Sequence, residues 1–110
     1  TLFRSETAKK ILKYGVEFVI ISQGSEGSLV ISRDKIAKVV GLKVEVKSTV
    51  GAGDSMVAAM AVGTEYNYSF EETMKLACAT SAANVMTEGT QTGKLIDIEK
   101  LKKQVTIKYL

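Results

Sequence analysis

The run Val16-Glu17-Phe18-Val19-Ile20-Ile21 follows directly on a stretch of helical periodicity, and it barely alternates. A β-branched and aromatic run of this kind predicts a strand buried on both faces of a parallel sheet. Ahead of it, Ala8, Ile11 and Leu12 fall on one helical face between Ser5, a candidate N-cap, and Gly15, where a C-terminal cap belongs. A surface helix followed at once by a buried strand restricts the chain to an α/β architecture.

Ser22-Gln23-Gly24-Ser25-Glu26-Gly27 then interrupts with turn residues, and Ser28–Ser32 and Lys35–Val40 read as a hairpin joined by Arg33-Asp34. From Val44 to Val46 apolar residues alternate with Lys43, Glu45 and Lys47, which predicts an extended segment with one wet face. Gly51-Ala52-Gly53-Asp54-Ser55 precedes an apolar small-residue stretch, Met56 to Val62. That stretch reads as a buried helix beginning within the glycine motif and ending at Gly63. A second helix is predicted from Ser69, with Glu72 placed as in a capping box and Phe70, Met74, Ala77, Ser81 and Val85 at helical spacing. Thr87–Lys94 reads as a loop, Asp97 as the cap of a short helix through Lys103, and Val105–Tyr109 as a closing strand. No repeat or linker divides the 110 residues, and 45% hydrophobic content suits one core, so a single compact unit is expected.

Composition excludes several classes of chemistry. Lys and Arg number 15 against 12 acidic residues and are scattered, with no aromatic residues interleaved, so no nucleic-acid surface is expected. Cys78 is the only cysteine and histidine is absent, which removes Cys/His metal sites, disulfide frameworks, and Ser/His/Asp or Cys/His triads. Catalytic proton transfer then falls to Asp, Glu, Lys, Tyr or Cys. The apolar runs are too short for a membrane helix and the start, Thr1-Leu2-Phe3-Arg4, lacks a signal-peptide layout, so a cytoplasmic location without membrane partners is expected. The chain opens without Met and enters a helix at once, from which a larger parent protein is expected.

The chemistry concentrates in one turn. Gly51-Ala52-Gly53 carries little or no side chain where a helix begins and its first N–H groups lack internal partners. Such a turn holds anions, because the helix dipole attracts negative charge by roughly 0.3–1 kcal/mol and the bare backbone lets a phosphoryl group approach. Asp54 lies at the same helix start, where an ionised carboxylate can take a proton from an attacking hydroxyl. On spacing alone, an Asp that merely caps the helix and glycines that form a tight turn fit equally well. The motif is neither Gly-x-Gly-x-x-Gly, which needs glycine at Met56, nor a P-loop, whose Gly-Lys-Ser/Thr is absent.

Thr49-Val50-Gly51-Ala52-Gly53-Asp54-Ser55 resembles the second signature of PfkB (ribokinase-like) carbohydrate kinases, commonly Asp or Asn, Thr, any residue, then Gly-Ala-Gly-Asp. Ser48 stands where that signature usually has Asp or Asn, a position not required for proton transfer. Ser22-x-Gly24-x-x-Gly27 is similar to the family's turn against the nucleotide phosphates, and Ala79–Asn84 to its helix flanking the adenine. The resemblance implies the C-terminal part of a ribokinase-like three-layer α/β/α fold. It implies an anion hole at Gly51, Ala52 and Gly53 and a general base at Asp54. It also implies ATP-phosphate contacts at Ser22, Gly24 and Gly27 and an adenine neighbour at Asn84, with no protein metal ligands.

The implied reaction is Mg2+- and ATP-dependent phosphorylation of a sugar phosphate. Val46-Lys47-Ser48-Thr49 and the Gly53–Val57 run most resemble members acting on fructose 1-phosphate, with tagatose 6-phosphate and fructose 6-phosphate kinases next. The family's N-terminal glycine-rich sugar motif and its Asn-x-x-Glu motif do not occur, so the chain by itself is expected to be inactive. The alternatives are a non-catalytic nucleotide-binding remnant, alone or as a homodimer, and a small scaffold using the Ala-rich helix as an interface.

Overall fold

The computed structural model describes residues 2–23, 26–88 and 93–110. They fall into two compact units, Thr1–Gly41 with Ile107–Leu110, and Leu42–Thr106. The division follows from the packing, since each unit closes its own apolar cluster.

In the first unit, helix α1 (Leu2–Leu12) precedes strands β1 (Phe18–Ser22), β2 (Gly27–Ser32) and β3 (Ile36–Val40), and β4 (Ile107–Tyr109) returns from the end of the chain. The sheet order is β1-β2-β3-β4. Every pairing is antiparallel, with Phe18 opposite Ser32, Val30 opposite Ala37 and Val39 opposite Ile107. The parallel arrangement expected for the first strand is therefore not what this sheet contains. An unalternated apolar run reports burial on two faces but carries no information about strand direction, and the hairpin that follows supplies the neighbour. Even the two-sided burial belongs to β2, where Leu29, Val30 and Ile31 are all buried, whereas β1 lies at an edge and is half-buried.

Leu29 and Ile31 pack with Ala8 and Leu12 of α1, joined by Val19, Ile21 and Ile36. Burying each of these large side chains contributes roughly 1.5–3 kcal/mol. Ile11, expected on the same face, is 44% exposed. The helix starts at Leu2, so Ser5 falls inside it and not at the N-cap position. Gly15 does close the helix end, at φ +95°, with its N–H donating to Leu12 O at 3.1 Å.

The second unit is helical: α2 (Ala52–Glu65), α3 (Phe70–Val85) and α4 (Leu95–Lys102). Gly63 does not end α2. It is buried, and a Cβ there would sit 2.5 Å from Thr73 Oγ1, so it is the point of close approach to α3. The helix ends instead in a Schellman motif, Tyr68 N–H to Gly63 O and Asn67 N–H to Thr64 O, with Asn67 at φ +56°. Helix α3 starts as expected, Ser69 Oγ accepting from Glu72 N–H at 3.2 Å. Asp97 lies within the first turn of α4 and does not cap it; Lys94 is the N-cap and makes no side-chain bond there.

Ala79, Ala83 and Leu101 join α3 to α4, with Leu42, Val44, Ala82, Met86 and Ile98 packed around them. Residues 42–48 form no strand. Val44 packs, but Val46 is 59% exposed, and the N–H groups of Lys47 and Ser48 both donate to Val85 O at the end of α3.

Candidate active site

Within the second unit, the start of α2 is built from local bonds. Ser48 Oγ accepts from Val50 N–H at 3.2 Å, Ala52 N–H reaches Thr49 O at 3.2 Å, and Ser55 N–H makes the first helical bond, to Gly51 O at 2.9 Å. Gly51 turns the chain into the helix at φ +81°, ψ 0°, a left-handed conformation that strains any residue with a Cβ. No side chain caps the helix. The N–H groups of Gly53 and Asp54 consequently have no acceptor among the described residues, as helix geometry requires when a cap is missing. The space above Gly53 is open to 4 Å around a built Cβ, and Gly53 and the Asp54 side chain are both exposed.

The turn therefore presents unpartnered donors, an unobstructed approach and a carboxylate at one helix end. That combination can bind a phosphoryl group and take a proton beside it. The reading of Asp54 as a cap finds no support, since its side chain makes no capping bond.

Asn84 belongs to the same place. It lies near the end of α3, is 5% exposed, and its side-chain N–H donates to Val50 O at 2.9 Å. Its Nδ2 would be 3.4 Å from a Cβ on Gly51. Ser22 and Gly27 are in the first unit, at the turn from β1 to β2. There Gln23 N–H donates to Gly27 O at 2.8 Å, and Ser22 is exposed at the end of β1. Gly27 has φ +101°, and a Cβ would fall 2.0 Å from Val39 O, so strand pairing alone demands glycine there. Gly24 lies outside the described residues. The structure thus brings Gly51–Asp54 and Asn84 together, and separately Ser22 and Gly27.

The profile of the pfkB family carbohydrate kinases matches residues 4–97. The chain belongs to this family. Among its relatives, the 1-phosphofructokinase of Haemophilus influenzae is 39% identical over 101 residues, 91% of this chain and 32% of that protein. The crystal structure of Escherichia coli phosphofructokinase-2 superposes with a TM-score of 0.82 at 33% identity, covering 90% of this chain and 32% of that one. Ribokinase from Thermotoga maritima superposes with a TM-score of 0.80 at 28% identity, covering 90% and 34%. The pfkB-family chain spans about a third of the length of the curated relatives it matches, and its α/β fold is ribokinase-like.

Family membership explains Ser48. A side-chain oxygen that accepts from the N–H two residues on is the local turn an Asp or Asn makes, and Ser makes it too. Two features of this pfkB site were not foreseen: the Asn84–Val50 bond and the double acceptance by Val85 O. One signal was available, a polar Asn within an Ala-rich packed helix, which must find a partner when buried. Cys78, on the same helix, is partly buried, and desolvation raises its thiol above the usual range.

Proposed function

We propose that the protein to which this chain belongs phosphorylates a sugar phosphate with ATP, fructose 1-phosphate first, as the C-terminal, nucleotide-binding and catalytic portion of the kinase domain. The observation that carries the proposal is the start of α2, where the unpartnered N–H groups of Gly53 and Asp54 lie beside the exposed Asp54 carboxylate. Asp54 takes the proton of the sugar hydroxyl as its oxygen attacks the γ-phosphorus. The bond from that phosphorus to the bridging oxygen breaks, and ADP leaves. The Gly51–Gly53 turn holds the charge on the transferring group, where losing one such donor typically costs 10²–10³ in rate. Ser22, Gly24 and Gly27 hold the ATP phosphates.

Among the described residues no group of three His, Cys, Asp or Glu side chains could hold a metal ion. Mg2+ would be carried mainly by phosphate oxygens and water, as is usual for this ion. Fructose 1-phosphate is favoured over fructose 6-phosphate by the 1-phosphofructokinase relative; 6-phosphofructokinase isozyme 2 of E. coli, 34% identical over 97 residues, supports the other substrate. No helix among the described residues is long and apolar enough to cross a membrane. An ATP-consuming reaction on a sugar phosphate fits the cytoplasm.

The span of a third of the relatives' length favours a second reading for the isolated chain, a nucleotide-binding piece without turnover. The two separate cleanly. Incubation of the naturally produced protein with Mg-ATP and each sugar phosphate should yield ADP fastest with fructose 1-phosphate. ATP binding without ADP formation from any of them would leave only the nucleotide-binding reading.

A further inference from the structure

We propose that Asn84 is a positioning residue for the phosphoryl-transfer turn, acting through the Val50 carbonyl and not by touching the nucleotide. The proposal rests on the kinase reading above and assigns the work of its turn to a helix 34 positions away in sequence.

A trans peptide is planar, with its C=O and N–H pointing in opposite directions. Holding Val50 O at 2.9 Å from Asn84 Nδ2 therefore fixes where the Gly51 N–H points, away from α3. This peptide needs such a hold more than most. Gly51 sits at φ +81°, and glycine tolerates both signs of φ, so the Val50–Gly51 unit is free to rotate at little cost once unpinned. A rotated peptide would turn the Val50 carbonyl, a negative dipole end, to where the turn presents N–H groups, opposing a phosphate.

The rest of α3's last turn is arranged to keep the pin rigid. Val85 O accepts from Lys47 N–H at 2.7 Å and Ser48 N–H at 3.2 Å, and Asn84 O accepts from Thr87 N–H at 3.1 Å and Thr87 Oγ1 at 2.7 Å. The segment before the turn is thus held at Lys47 and Ser48 by a backbone carbonyl, and at Val50 by the neighbouring side chain. Only the last of these is set by residue type.

The test is steady-state kinetics of Asn84→Ala in the naturally produced protein, with Mg-ATP and fructose 1-phosphate. A misaimed turn should lower kcat roughly 10- to 100-fold, somewhat less than losing an anion-hole donor outright, and leave the KM for ATP within about threefold. Leu101→Ala, which loosens the same helix without touching the pin, should keep its kcat at temperatures where it is folded. A raised KM for ATP with kcat intact would overturn the proposal in favour of direct nucleotide contact, and unchanged kinetics would overturn it outright. Asn84→Asp keeps the side chain's volume and removes the donor; should the alanine variant not fold, the same loss of kcat is expected of the aspartate. A wild-type protein that turns over none of the sugar phosphates would remove the kinase reading and this proposal with it, whereas an active wild type with an indifferent variant removes only the proposal.

Discussion

Replacing Gly27 by alanine should destabilise the first unit severely, whatever the turn binds. Gly27 has φ +101°, where a Cβ costs roughly 1–2 kcal/mol. The added Cβ would also lie 2.0 Å from Val39 O, 2.6 Å from Gly41 N and 3.0 Å from Val40 C, all backbone atoms of the adjoining strand segment. Backbone cannot rotate aside as a side chain can, so β2 and β3 must part by more than an ångström at the Gly27–Val40 pair. Overpacking of that kind costs typically 1–3 kcal/mol. The total, about 2–5 kcal/mol, corresponds to a fall in Tm of roughly 8–20 °C at about 4 °C per kcal/mol for a chain of this size. Thermal unfolding followed by far-UV circular dichroism, without nucleotide, measures it directly. A Tm within about 2 °C of wild type would refute the reasoning and mean that the pair tolerates a side chain. Gly27 would then be explained by ligand contact alone.

Two further outcomes are expected. Ser69→Ala removes the oxygen that accepts from Glu72 N–H and should cost about 1 kcal/mol, read from the urea midpoint at unchanged slope. Burial raises the Cys78 thiol, so the folded state holds that proton more tightly than the unfolded chain. Its contribution is then complete below the unfolded pKa of about 8.5 and is lost as pH rises through the folded value. Stability should accordingly fall more steeply above about pH 8.5 in wild type than in Cys78→Ala, and Cys78 should alkylate slowly at pH 7 until the protein is unfolded.

What could be read from the sequence was local. The hairpin at Arg33-Asp34, the Ser69 cap and the helix starting in the glycine motif each follow from residues within a few positions of one another. Features set by distant partners were not legible. Gly63 looks like a helix terminator until Thr73 is seen against it, and the real terminator is the left-handed Asn67. The strand at Phe18–Ser22 was recognisable, but its antiparallel direction was decided by the hairpin after it. At the site, the helix start at Gly51–Asp54 was legible, because a glycine turn and an acid ahead of an apolar helical run are neighbours in sequence. Asn84 was read from the family resemblance as an adenine neighbour, and its bond to Val50 O was not legible, since the fold brings that carbonyl to it.

The central claim is that Asp54 accepts the proton of the attacking hydroxyl at the start of α2. It is tested most directly by kcat and ATP affinity of Asp54→Asn in the naturally produced protein. A general base contributes 10²–10⁴ in rate, so kcat should fall at least about 100-fold while the Kd for Mg-ATP stays within about threefold. A variant that keeps wild-type kcat would contradict the assignment of Asp54 as the base.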